Sequence, residues 1–394
     1  MMIYLDNSAT TRPFDRVTQC VAKVMQNVYG NPSSMHMAGV EAERRVREAK
    51  DIIASVMKVD AKNIYFTSGG TESDNLAIIG SATAQKRAGM HLITTKTEHP
   101  AVLETMKHLE DQGYTVTYLD VKDDGRVDKE ALKAALREDT VLVSVMHVNN
   151  EIGSVNDIEE LSGIVRSYDP AILFHTDAVQ SFGKMDVHPK RMGADMVSVS
   201  GHKIHGPKGV GILYISDRAK VRPIIFGGGQ QKGMRSGTEN VPGIAGMGLA
   251  AGMVYDDLKA VTGRMFDLKE YFIRRLCDLP DVYINGLPDH DEKGLKDAVA
   301  MTAPHIVSAS FAQVRAEVLL HALEAEGIYV SAGSACASNK HSKSATLAAI
   351  RVPADLAEST LRFSFSGDTS REELDRTIEV LEKELPILRR YRRH

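Results

Sequence analysis

Between Ile64 and Ile215 short runs of β-forming residues alternate with stretches of helical period, and that alternation limits the fold more than any other feature of the chain. The runs are Ile64–Thr67, His91–Thr95, 114–119, 141–148, 171–176, Met196–Ser200 and Gly211–Ile215. Helices are expected over 14–27, Met37–Met57, up to Gln85, over 129–137 and over Ile158–Tyr168. Strands that alternate with helices predict an α/β fold with a mainly parallel sheet covered on both faces. Ligands of such a sheet sit beyond the carboxyl ends of its strands, and the polar motifs fall mostly there.

After Ile215 comes a glycine-rich connector, Gly227-Gly228-Gly229, and then a helical segment over 244–276 with a break expected near Thr262-Gly263. The rest reads as a smaller α+β domain, with strands over 282–284, 307–311 and 361–365 and helices over 315–326 and 372–388. A charged surface loop is expected over 288–296. The expected division is a large domain over 13–257, and a small one made of 1–12 and 258–394.

A net charge of −4 implies no general affinity for nucleic acid or anionic membrane. The chain shows no long apolar run and no charged-then-apolar leader, so neither a membrane span nor a secretory signal is expected. Cys20, Cys277 and Cys336 are odd in number and far apart, which favours a reducing compartment over a disulfide framework. Cys20 is expected as a buried small hydrophobe and Cys277 as structural. The basic ending from Arg389 to His394 reads as a solvated tail that complements a helix C-terminus.

Six polar stretches could carry chemistry. In Ser200-Gly201-His202-Lys203, the lysine lies in a tight loop between two strands. Burial there would lower its pKa and free the amine for a Schiff base; otherwise it is a solvated turn. Ser68-Gly69-Gly70-Thr71 joins a strand to a helix, where backbone N–H groups can cradle a phosphate. Equally, Thr71 could be a plain N-cap. Asp177 ends a strand, where an acid can pair with the ring nitrogen of pyridoxal phosphate, with Gln180 in reach of the phenolic oxygen; the alternative is a helix cap. His99, in Glu98-His99-Pro100, could stack on a ring or cap a helix. Small residues around Cys336 predict an uncluttered loop with an exposed thiol that can move, as a nucleophile must. Arg362, on one face of a strand, could grip a carboxylate bidentately or form a surface salt bridge. A metal site built from His175, Asp177, His202 and His205 is the rival, but no zinc-like spacing supports it.

Taken together, the sequence resembles the NifS/IscS-type cysteine desulfurases, within the fold-type I, class V aminotransferase group of pyridoxal phosphate enzymes. The stretches that carry the resemblance include Tyr4-Leu5-Asp6-Asn7-Ser8-Ala9-Thr10-Thr11, Gly30-Asn31-Pro32, Thr67-Ser68-Gly69-Gly70-Thr71-Glu72-Ser73 and Glu98-His99-Pro100. They continue with His147-Val148-Asn149-Asn150-Glu151, His175-Thr176-Asp177-Ala178-Val179-Gln180, Gly201-His202-Lys203, Arg235-Ser236-Gly237-Thr238, Gly333-Ser334-Ala335-Cys336 and Leu361-Arg362-Phe363-Ser364. The resemblance implies a seven-stranded sheet in the large domain and a small domain that carries the cysteine loop. It implies that Lys203 carries the cofactor as a Schiff base, that His99 stacks and shuttles protons, and that Asp177 and Gln180 hold the ring. Gly70, Thr71, Ser200 and His202 would bind phosphate, with Thr238 supplied by the neighbouring subunit. Asn150 and Arg362 would orient L-cysteine, and Cys336 would take its sulfur. A cytoplasmic homodimer with a shared site is implied, passing sulfur to an iron–sulfur scaffold or a tRNA thiolation enzyme. Selenocysteine lyase and aminotransferase activity on the same fold are the alternatives, and a non-catalytic scaffold is a third. The chain departs from the family at Ala337-Ser338-Asn339-Lys340-His341, where an acidic-proline turn is usual, and at Phe365-Ser366-Gly367-Asp368, where Gly-Arg is usual. Those differences bear on the docking partner rather than on the chemistry.

Overall fold

Neighbouring residues on the central strands point to opposite sides, and each side has its own core. Ile93, Val143, Phe174, Val197 and Ile212 enter one apolar cluster, while Leu92, Leu142, Leu173, Met196 and Leu213 enter another. A strand buried on both faces reads as a continuous apolar run, as these do. The computed structural model describes residues 2–289, 293–332 and 344–390.

The first half of the chain contains β1 (Ile3–Tyr4), α1 (Asp15–Asn27), α2 (Met37–Met57), β2 (Ile64–Thr67), α3 (Gly70–Gln85), β3 (His91–Thr95), α4 (Pro100–Asp111), β4 (Thr115–Leu119), α5 (Lys129–Ala135), β5 (Thr140–Ser144), α6 (Ile158–Tyr168), β6 (Leu173–Asp177), α7 (Pro189–Met192), β7 (Met196–Ser200) and β8 (Gly211–Ile215). Next come α8 (Val241–Asp256), α9 (Leu258–Cys277), β9 (Val282–Asn285), α10 (Leu295–Ala300), β10 (Ile306–Phe311), α11 (Ala316–Ala325), β11 (Ile328–Tyr329), β12 (Ser331–Ala332), α12 (Ala345–Ala349), α13 (Ala354–Ala357), β13 (Thr360–Ser364) and α14 (Arg371–Arg390).

Seven strands form one sheet in the order β2-β8-β7-β6-β5-β3-β4. Only β8 runs against its neighbours, so β2, β3, β5, β6 and β7 all end at the same edge. Helices α1, α2, α6 and α8 cover one face and α3 and α4 the other. The expected α/β architecture is therefore present. A second, antiparallel sheet has the order β12-β13-β10-β9, and α9, α11 and α14 pack on it. Ile3 and Leu5 enter this second core, and β1 pairs with β11.

Several boundaries differ from the sequence expectations. The long helical segment breaks at Asp257, not near Thr262-Gly263. A lone glycine costs a helix about 1 kcal/mol, and α9 runs through it because Met265, Phe272, Ile273 and Leu276 bury its inner face. Strand β5 is assigned only to Ser144, although the Val145 and His147 N–H groups still donate to the His175 and Asp177 carbonyls; between them the Met146 N–H is captured by Glu98. Residues 295–300, partly assigned to a charged loop, form α10, because Leu295, Ala298 and Val299 are buried. Cys20 is only half-buried, and Cys277 is exposed at the end of α9. Among the described residues no helix is long and apolar enough to cross a membrane.

Candidate active site

The common edge of the large sheet gathers most of the residues singled out in the sequence. Ser200 ends β7, and Lys203 closes the short helical turn that follows it. The loop folds back tightly: a side chain on Gly206 would begin 2.7 Å from the Gly201 carbonyl oxygen. Lys203 is half-buried, not a solvated turn residue. Its Nζ donates to the backbone carbonyls of Ser8 and Ala9, the latter at 2.9 Å.

The N-terminal segment clasps this loop. Thr11 donates from both its N–H and its Oγ1 to the His202 carbonyl at 2.9 Å, and its Oγ1 accepts from the His205 N–H at 2.7 Å. Thr10 Oγ1 lies 3.1 Å from His202 Nδ1. His205 adopts a left-handed backbone, φ 60°, and stacks on Phe14 with ring centroids 4.3 Å apart. Such a conformation persists only where its surroundings over-determine it.

Asp177 ends β6 and is buried. It is not a helix cap: its Oδ1 accepts from the Val179 N–H at 2.8 Å in the turn beyond the strand. Burial pushes its carboxyl pKa up, while His99, the Val179 N–H and Lys203 pull it back. His99 does cap α4, accepting from the Ala101 N–H at 3.1 Å through Nδ1. Burial lowers its pKa, the Asp177 charge raises it and Lys203 lowers it, so the three groups feel one another. Gln180 Nε2 donates to the Ser8 carbonyl at 3.0 Å, the same oxygen that Lys203 engages.

Gly69, rather than Thr71, is the N-cap of α3, and no side chain caps that helix. A side chain on Gly70 would begin 2.9 Å from Val179 Cγ2 and 3.7 Å from Ser200 Cβ. The start of a 16-residue helix thus faces the Ser200 hydroxyl across a gap that only glycine leaves open. Thr71 is exposed and shares with His99 and Asn75 a cleft of about 410 Å³. Burial first, then Lys203, Lys208 and Lys184, push His202 down to about 4, so it stands beside the cradle as a neutral donor. An uncapped helix start, a hydroxyl and a buried carboxylate together fit a ligand with a phosphate at one end and a protonated ring nitrogen at the other.

Arg362 on β13 is 4% exposed, which rules out a surface bridge. Its Nη2 donates to Asp6 Oδ1 at 2.9 Å and its Nη1 to the Asn150 carbonyl at 2.8 Å. Asn150 thus contacts the clamp through its backbone. Thr238 is exposed and makes no hydrogen bond among the described residues. Cys336 lies outside the described residues. Ser344 donates through its hydroxyl to Glu151 and caps α12. His175, offered to the rival metal site, spends both ring nitrogens on Ser144 at 2.8 Å and Ser198 at 3.0 Å.

Sequence reasoning did not find the carbonyls of Ser8 and Ala9, nor Asp6, Lys184 and Glu98. Lys184 Nζ donates to the Lys203 carbonyl at 2.6 Å, and burial followed by the Lys203 charge brings its pKa down to about 7. Glu98 is buried beneath the site and burial pushes it up to about 8. A backbone carbonyl leaves no mark in sequence. The N-terminal motif that supplies two of them did stand out, though without a role.

The class-V aminotransferase family matches residues 3–377. The chain belongs to the class-V aminotransferase family. Enzymes of this family depend on pyridoxal phosphate, and the fold is that of their fold-type I members. Among curated relatives, cysteine desulfurase IscS of Dictyoglomus turgidum is 43% identical over 98% of this chain and 95% of its own. Cysteine desulfurase IscS of Escherichia coli O139:H28 is 42% identical over 98% and 93%. Among solved structures, a NifS-like protein superposes with a TM-score of 0.90 at 36% identity, covering 98% of this chain and 100% of that one. A second, SspA in complex with cysteine, gives 0.79 at 32% identity over 93% and 100%. Within the class-V family these relatives stand with the group that the sequence motifs resemble.

Proposed function

We propose that the protein is a cysteine desulfurase that converts L-cysteine to L-alanine and leaves the sulfur on Cys336 as a persulfide. The observation that carries this reading is the gathering of Lys203, Asp177 and His99 at one sheet edge, each within electrostatic reach of the others. The names of the full-length relatives support it.

Lys203 is the residue that would hold pyridoxal phosphate through its amine. Gly70, Thr71, Ser200 and His202 would take the phosphate, and Asp177 and Gln180 the ring. When bound, the cofactor supplies an electron sink for charge that develops at the substrate α-carbon. The carbonyls of Ser8 and Ala9 hold the Lys203 amine on the side of the N-terminal segment. From there it can take a proton from the α-carbon and return it. His99 would carry protons; burial lowers its pKa while the Asp177 charge raises it. Arg362 and Asn150 orient the substrate carboxylate. Cys336 then attacks the substrate sulfur: an S–S bond forms, the C–S bond breaks and carbon keeps the electron pair. The carbon is reduced and the thiol oxidised, and one cysteine plus one Cys336 thiol give one alanine and one persulfide.

A homodimer in the cytoplasm, with Thr238 crossing to the neighbouring site, and an iron–sulfur scaffold or tRNA thiolation enzyme as acceptor complete the reading. Labelled cysteine tests it. Cys336→Ser should keep bound cofactor and form no persulfide, while the wild type releases one alanine per persulfide. Full sulfide release by Cys336→Ser would sink the assignment.

A further inference from the structure

The N-terminal segment places a carboxylate on the very guanidinium that the proposed function gives to the substrate. Asp6 follows β1 and is bridged to Ser364 at the end of β13, which seats its side chain beside Arg362. A buried guanidinium without an anion is costly, and Asp6 meets that need when no substrate is present. A guanidinium offers five N–H groups. Asn150 takes one from Nη1 and Asp6 one from Nη2. The Nε group is buried and has no partner among the described residues. The edge formed by Nε and the second Nη2 hydrogen is the fork that a carboxylate grips bidentately.

We propose that Asp6 is a specificity-determining residue of this clamp: it aims Arg362 and, by sharing Nη2, weakens the hold on every carboxylate ligand. The inference rests on the reading of Arg362 as the substrate clamp. Two carboxylates on one guanidinium repel each other, so a bound amino acid is held less tightly than a lone arginine would hold it. Asp6 thereby gives up affinity for orientation, and it favours release of the alanine product.

Calorimetric titration of the holoenzyme with L-alanine, and with ethylamine as its counterpart without a carboxylate, separates the possibilities. Asp6→Asn keeps an oxygen acceptor and removes the charge. The dissociation constant for L-alanine should fall by about fivefold, while that for ethylamine stays the same. Asp6→Ala, which loses aim as well as charge, should bind L-alanine no more tightly than Asp6→Asn does. If Asp6→Asn leaves L-alanine binding unchanged, or weakens alanine and ethylamine alike, the inference is overturned. Arg362→Gln distinguishes the two levels. If it weakens L-alanine binding while Asp6→Asn fails to tighten it, only the role of Asp6 falls. If Arg362→Gln leaves L-alanine binding untouched, the clamp reading falls and the inference with it.

Discussion

Burial opposes the charge of Asp177 and pushes its carboxyl pKa up. His99, the Val179 N–H and Lys203 supply the compensation. Asp177→Asn keeps the shape and the acceptor for Val179 but removes the charge. Alanine formation should drop by at least about a hundredfold, with thermal unfolding nearly unchanged; near-normal turnover would remove Asp177 from the machinery. Lys269 shows the same conflict away from the site. It is 1% exposed, donates to Thr302 Oγ1 at 2.6 Å and to the Ala303 carbonyl at 2.8 Å, and burial pushes its amine down to about 7. Between about pH 7 and pH 10 the unfolded chain keeps a proton that the folded chain has released, so this lysine makes stability rise with pH. Lys269→Met lacks that contribution. In urea unfolding, the wild type should gain about 3 kcal/mol on the mutant between pH 7 and pH 10, and a constant difference would refute the buried-amine account. Residues of this kind were unevenly legible in the sequence. Lys203 and Arg362 stood out because a reactive or forked side chain sits in a polar loop or on a strand face. Lys269 left a fainter trace: it shares helical spacing with Met265, Phe272 and Leu276, all buried. Lys184 left none, and Asp6 stood out only as part of the N-terminal motif without a role, because their importance comes from chain segments far away in sequence.

The elements themselves were largely readable because strands with two buried faces and helices with one stripe impose different periods. Their ends were not, because capture by distant groups decides them, as Glu98 does beyond β5. The N-terminal segment is the clearest case of a distant effect. It forms only two residues of strand, yet it holds Lys203, His202 and Arg362. Thr11→Val removes the Oγ1 bonds to the His202 carbonyl and the His205 N–H while it keeps the volume. The expected outcome is a loss of about 1–3 kcal/mol in unfolding free energy, with faster cofactor loss on dilution as the loop loosens. Retention equal to the wild type would show that the clasp is dispensable. At the start of α3 the opposite change applies. Gly70→Val would push a side chain into the space beside Val179 and Ser200. The protein should fold but fail to take up pyridoxal phosphate in an absorbance titration; normal uptake would remove the helix start as the phosphate cradle.

For the whole molecule, one proposed site residue does not join its own cluster. Thr238 is exposed and without a hydrogen bond among the described residues, whereas most of the other residues proposed to hold the cofactor lie at the sheet edge. Large apolar side chains are exposed too: Tyr29 at 85%, Met35 at 101%, Met37 at 80% and Phe226 at 80%. Soluble monomers seldom leave so much apolar surface uncovered, and a twofold partner would cover it. If Thr238 serves the neighbouring subunit, two inactive chains should rescue each other. Thr238→Glu places a negative charge where the phosphate would bind and should abolish cofactor retention. Lys203→Ala removes the residue that would hold the cofactor. A hybrid of the two contains one site with Lys203 from one chain and an intact Thr238 from the other. Co-refolding equal amounts makes half of the dimers hybrid, each with one complete site in two, so about a quarter of wild-type activity should return. If Thr238 acts within its own chain, no hybrid site is complete and the mixture stays inactive.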